Sequence, residues 1–179
     1  MRVFFGLELA PAVVTAVSDW RDRQFSCAAR PVPPANFHIT LAFVGELPES
    51  RMERLCLSVE NQLAGETIPG ATLTLNRTGY WHKSGIYWLG PDTWPSQLSV
   101  LARKLQGLSG IVGGKRDKRT FTPHVTLFRA CLDAPAAPAL IPDITLSYQH
   151  FTLFQSRKGK NGVSYHPLHS WTLAPENHF

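Results

Sequence analysis

The 179-residue chain predicts an α+β protein: two pseudo-symmetric sheet-and-helix lobes around a central active-site cleft, forming one domain over residues 1–179. Three observations carry this expectation. Stretches with strand character alternate along the chain with stretches whose apolar residues recur at helical spacing. Glycine and proline punctuate the junctions between them. One four-residue word also occurs twice, as His38-Ile39-Thr40-Leu41 and as His124-Val125-Thr126-Leu127, one copy in each half.

The elements follow in order. Arg2 to Leu9, rich in Val and Phe, reads as a first strand. Pro11 suits the first turn of a helix that continues through Val13, Val14, Val17, Trp20 and Gln24. Arg30 to Pro34 is a proline-rich break, and Phe37 to Val44 is a strand ended by Gly45. Pro48 opens a second helix with Met52, Leu55, Cys56, Val59 and Leu63 on one face. Leu73 to Thr78 and Gly85 to Leu89 read as strands joined through the segment 79–84. A third helix gathers Leu98, Leu101, Ala102, Leu105 and Leu108. Gly110 to Thr122 interrupts, Pro123 leads into the second motif strand, and the Ala/Pro-rich Asp133 to Pro142 is a connector. Ile144 to Ser156 and Val163 to Leu173 read as two long strands, with 157–162 as a basic hairpin loop.

Composition narrows the class. With 44% hydrophobic and 17% charged residues the chain reads as a soluble globular protein. The apolar start at Val3-Phe4-Phe5-Gly6-Leu7 is interrupted by Glu8 and Pro11, too short for a signal peptide or a membrane span. Cys27, Cys56 and Cys131 are widely separated and odd in number, which fits a reducing cytoplasm and buried thiols. The net charge of +5 favours a polyanionic partner without proving one.

The repeated word carries the chemistry. Strand side chains alternate between faces, so Ile39, Leu41 and Phe43 fall on one face and His38, Thr40 and Ala42 on the other. In the second copy, Val125 and Leu127 oppose His124 and Thr126. Each strand thus packs an apolar face and presents an imidazole beside a hydroxyl. Displacement at phosphorus needs the incoming oxygen deprotonated, the leaving oxygen protonated, and the equatorial negative charge stabilised. Histidine can be base or acid near neutral pH, and threonine hydroxyls can donate to non-bridging oxygens. Two such pairs are what metal-free cleavage of a phosphodiester needs. No HExxH, Asp-rich cluster or zinc-type Cys/His spacing is present, so neither a metal nor another cofactor is expected.

The paired H-x-T-L words resemble the two-histidine phosphoesterase superfamily. Their flanks sharpen this: Arg2 to Leu7, Asn36 to Gly45 and Phe121 to Arg129 are similar to the bacterial RNA 2′,3′-cyclic phosphodiesterases, the LigT-like family first called 2′-5′ RNA ligase. The resemblance covers nearly the whole chain. It implies that His38 is the general acid for the departing 3′ oxygen and His124 the general base for water. It further implies that Thr40 and Thr126 hold phosphate oxygens, and that the product is an RNA end with a 2′-phosphate. Arg129 matches a basic residue of this branch and is a further phosphate-binding candidate. Strict alternation puts it opposite His124, so it reaches the cleft only if the strand ends or bulges near Phe128. The expected partner is an RNA end bearing a 2′,3′-cyclic phosphate, met by a cytoplasmic monomer with no membrane and no obligate protein partner. Alternative readings are 2′-5′ ligation of RNA halves, action on a small cyclic phosphate, and a non-catalytic RNA-end binding module.

The remaining candidates have plainer readings beside the functional ones. His82, His150, His166, His169 and His178 lack a Thr partner. Lys115 to Arg119 is either a solvated loop or a lining of the RNA path. The basic turn at Arg157 to Lys160 reads as a soluble loop. Phe5, Trp81, Tyr148 and Phe151 are candidates to stack on a base, although core or cleft-wall positions suit each of them better.

Overall fold

Proline sets where the helices of this protein begin. The structure, a computed structural model, describes residues 1–26, 29–115 and 119–176. Its helices are α1 (Pro11–Gln24), α2 (Glu49–Gly65) and α3 (Ser96–Ile111). None has a side-chain N-cap; Pro11 occupies the first turn of α1, and Pro48 and Pro95 stand at the boundaries of α2 and α3. Each helix buries the stripe that its periodicity predicts: Val17 and Trp20 on α1, Leu55 and Val59 on α2, Leu98, Leu101, Ala102 and Leu105 on α3.

The strands are β1 (Arg2–Glu8), β2 (Arg30–Pro31), β3 (His38–Glu46), β4 (Ala71–Leu75), β5 (Arg77–Trp81), β6 (Ile86–Gly90), β7 (Val125–Arg129), β8 (Ile144–Tyr148), β9 (His150–Gly159) and β10 (Gly162–Thr172). One antiparallel sheet runs in the order β10-β9-β1-β3-β7-β6-β5. The two motif strands, β3 and β7, are neighbours at its centre. They share one pair only, Ile39 opposite Val125. Beyond it β3 leaves, and β2 takes over the same edge of β7 at Phe128 and Arg129. The sheet therefore has two arms hinged at Ile39 and Val125, both fully buried. Burying each such side chain contributes roughly 1.5–3 kcal/mol, so the join is apolar even though hydrogen bonding across it is brief.

Two expected strands are each divided. Leu73 to Thr78 belongs to β4 and β5, and Ile144 to Ser156 belongs to β8 and β9, with a bend at Gln149. The breaks have one cause: β4 and β8 pair with each other as a separate two-stranded sheet. The first half of the expected link over 79–84 is also strand, because β5 runs on to Trp81. Gly79 is required there. A Cβ at this position would lie 2.1 Å from the Trp88 ring, which rests on the glycine's bare backbone. The hairpin loop contracts to Lys160-Asn161, with Gly162 at φ +102° completing the turn.

Three of the four aromatics considered for base stacking lie in the core. Phe5 and Phe151 are fully buried and Tyr148 nearly so. Phe5 and Phe151 pack around Trp171, with Phe151 stacked on it at 5.2 Å. Among the described residues no helix is long and apolar enough to cross a membrane. Cys56 is a half-buried free thiol and Cys131 is buried, while Cys27 and His178 fall outside the described residues.

Candidate active site

The two motif words are matched residue by residue. From His38 to Phe43 the side chains are half-buried, buried, half-buried, buried, buried, exposed; His124 to Arg129 repeats that series. The pairing of Ile39 with Val125 joins the middle residue of one His-x-Thr to the middle residue of the other. An antiparallel pair has a local two-fold axis at such a point. That axis places His38 toward Thr126 and Thr40 toward His124 on one face.

The second shared feature is a β-bulge. Against β1, Gly6 pairs with Thr40 and Phe5 with Ala42, so Leu41 is an extra residue. Against β6, Trp88 pairs with Thr126 and Tyr87 with Phe128, so Leu127 is extra. The Leu of each H-x-T-L is the bulge. It reverses the alternation after it. Leu41 and Ala42 both turn inward, as do Leu127 and Phe128. Phe43 and Arg129 therefore turn to the face of the histidines. For Arg129 the condition on which its role depends is met. For Phe43 the expectation is corrected: it does not share the inner face with Ile39 and Leu41, and it is 50% exposed.

Each imidazole is held in the same way. The Nδ1–H of His38 donates to the Asn36 carbonyl at 2.8 Å, and that of His124 to the Thr122 carbonyl at 2.8 Å. A carbonyl only accepts, so each neutral ring carries its proton on Nδ1 and turns Nε2 to the cleft. Nε2 of His38 accepts from the Thr40 hydroxyl at 2.8 Å. Each ring also meets an aromatic edge at an interplanar angle of 78°: Tyr165 at 4.9 Å from His38, Trp81 at 4.6 Å from His124.

The surroundings set the proton affinities. Burial pushes the His38 imidazole down to about 4, against the opposing bond to Asn36; charge on His124 and Arg129 lowers it further. Burial likewise lowers His124, again against its carbonyl bond, with Arg119 and Arg129 adding to the effect. Arg129 thus acts on both rings, as expected of a guanidinium on the cleft side of the bulge.

Behind the site lies a residue that sequence reasoning missed. Arg21 of α1 is only 4% exposed. Its Nη1 donates to the Val32 carbonyl at 2.6 Å and to the carbonyl of Leu127, the bulge residue, at 3.0 Å. Its guanidinium lies over the rings of Phe37 and Phe128, at 5.0 and 5.5 Å. It therefore ties the residue before His38 to the bulge that aims Arg129. An arginine on a helical stripe gives no local sign of this. Phe43 had one: it stands five residues after His38, as Arg129 stands five after His124.

The other candidates separate cleanly. Trp81 is beside His124, while His150, His166 and His169 sit at the surface near Glu8, Ser164 and Glu60. Of the basic run 115–119, Arg116, Asp117 and Lys118 fall outside the described residues. Lys115 donates its backbone N–H to the Val44 carbonyl, and Arg119 acts on His124. Among the described residues no group of three or more His, Cys, Asp or Glu side chains converges.

Comparison with known proteins agrees with this architecture. The family model for LigT like Phosphoesterase matches the chain twice, over residues 8–88 and 89–165, one match per motif word. The RNA 2′,3′-cyclic phosphodiesterase of Escherichia coli (strain K12) is 36% identical over 176 residues, covering 96% of each protein. A crystal structure described as a phosphoesterase superposes with a TM-score of 0.88 at 34% identity, over 97% of this chain and 98% of that one. E. coli LigT complexed with 3′-AMP gives 0.86 at 32% identity, over 96% and 97%. With its paired histidines, its matched bulges and two family matches between them spanning most of its length, the chain belongs to the LigT-like phosphoesterase family.

Proposed function

We propose that this protein opens 2′,3′-cyclic phosphates at RNA ends by two-histidine acid–base catalysis, leaving a 2′-phosphate. The observation that carries this reading is the local two-fold placement of His38 and His124 about the Ile39–Val125 pair, each with its Nε2 turned to the cleft. The E. coli relative is an RNA 2′,3′-cyclic phosphodiesterase, the same activity.

The chemistry follows from the tautomers. Water attacks phosphorus and passes its proton to Nε2 of His124. The P–O3′ bond breaks in line with the attack, and O3′ takes a proton from Nε2 of His38. Thr40, Thr126 and Arg129 hold the equatorial oxygens, whose charge grows in the transition state. At neutral pH both rings of the free protein are neutral, because burial first and neighbouring positive charge second disfavour imidazolium. A bound phosphodiester brings a negative charge and raises both rings, and His38 then gains the proton it must donate.

Joining two RNA ends would use the same residues with a ribose 5′-hydroxyl attacking phosphorus in place of water and the same P–O3′ bond breaking, and water at its high concentration favours hydrolysis. A binding-only module has no use for two oriented imidazoles, since Arg or Lys would serve it. We assign the protein to the cytoplasm, acting as a monomer. The test is incubation with a 2′,3′-cyclic-phosphate oligonucleotide in chelator, with product ends resolved. A 2′-phosphate product supports the reading. Tight binding with no turnover in the parent protein would favour the module instead.

A further inference from the structure

A groove of about 470 Å³ opens directly beside His38 on the face of the catalytic rings. Its floor is Phe4 and Phe154, stacked at 5.2 Å. Both rings lie over Gly6 of β1, where a Cβ would touch them at 3.4 Å and 3.5 Å and crowd the Ile39 carbonyl oxygen at 3.0 Å. Tyr165 forms one wall, and the start of α1 with Thr15, together with the 3₁₀ turn at Ala35, forms the other. Asn36 fixes the geometry twice. Its carbonyl accepts from His38, and its side-chain amide donates to the Val163 carbonyl of β10 at 2.9 Å.

Among the described residues the lining contains no lysine or arginine, and its one carboxylate is Glu8. This does not suit a phosphate. Aromatic and proline surfaces, hydroxyls, an amide and a carboxylate suit an uncharged nucleoside, which has π faces, ribose hydroxyls and exocyclic amines.

The direction of cleavage proposed above says which nucleoside. O3′ departs toward His38. In ribose, C3′ is bonded to C4′ and so leads to the 5′ chain, whereas C2′ is bonded to C1′ and leads to the base. The 5′ chain therefore leaves the cleft past His38, and the terminal base lies on the other side. We propose that the groove beside His38 binds the nucleoside immediately 5′ of the one bearing the cyclic phosphate. The groove thereby makes the enzyme selective for oligonucleotide ends over mononucleotides. This inference rests on His38 serving the 3′ oxygen.

The test compares a 2′,3′-cyclic mononucleotide with di- and trinucleotides ending in the same cyclic phosphate. A single stacked base predicts that kcat/KM rises at least about fivefold from mono- to dinucleotide and changes little beyond. Thr15→Trp and Ala35→Trp fill the groove from two different elements, and either should bring the di- to mononucleotide ratio close to one. A parent ratio of one, or a ratio unchanged in the folded variants, overturns the proposal. Equilibrium affinities for the 2′-phosphate mono- and dinucleotides give a readout without turnover. Should neither cyclic substrate be cleaved, the cleavage reading fails by itself, and equal affinities would additionally overturn the groove.

Discussion

The two half-sites are built alike but live in different surroundings. His38 and His124 share the Nδ1–H bond to a carbonyl two residues back, the aromatic edge, the following threonine and the bulge. Around His38 lie Phe4, Phe154, Tyr165 and a groove whose described lining holds no lysine or arginine. Around His124 lie Trp81, Trp88 and the charge of Arg119, beside that of Arg129, which acts on both rings. A cation beside an imidazole keeps it neutral, which is the state a base needs. A neutral aromatic surround suits the ribose side of the leaving group. In the proposed mechanism the backbone repeats because the chemistry needs two imidazoles, and the surroundings diverge because the two protons travel in opposite directions.

The most severe way to break the pair is to remove a ring. His38→Ala or His124→Ala is expected to lower kcat about 10²–10⁴-fold on a cyclic-phosphate oligonucleotide. The double variant should be hardly worse than either single, because the two act as one unit. Single-turnover assays measure this, and a multiplicative double variant would show that the rings act independently.

Next is the element that ties the halves together. Arg21→Met leaves the Val32 and Leu127 carbonyls short of a buried donor, so the protein should lose about 2–4 kcal/mol. Urea unfolding reads the loss directly; an unchanged midpoint would rule out Arg21 as the tie.

Threonine removal sharpens the comparison. Thr40→Val and Thr126→Val should each slow turnover about tenfold by losing one phosphate hydrogen bond. Thr40→Val should also alter the resting proton affinity of His38, because the hydroxyl donates to its Nε2. Imidazole NMR titration of both variants separates these effects.

The mildest effect is on pH. Both rings are lowered from 6.5, His38 to about 4. The base must be neutral and the acid protonated, so kcat/KM rises through the lower free-enzyme value and falls through the higher. Its maximum should therefore lie below pH 6.5, with kcat centred higher once the phosphodiester is bound. Stability follows the same sign. Between pH 6.5 and 4 the unfolded chain takes up protons that buried His38 resists, so the folded protein loses stability as pH falls through that window. A thermal melt of His38→Gln should show a shallower acid decline than the parent.

The amino-acid sequence by itself determined the paired words, the strand character of their flanks, the proline-set helix starts and the buried helix stripes, since all are local properties of residue type and spacing. Pairing Ile39 with Val125, dividing Ile144 to Ser156 and placing Phe5, Tyr148 and Phe151 in the core came from contacts between distant segments. The bulges at Leu41 and Leu127 were decided there too. A bulge is a mismatch between two strands, and nothing in either strand alone encodes it. Only these mismatches, the one at Leu127 with Arg21 behind it, turn Phe43 and Arg129 from the core face to the face of the histidines.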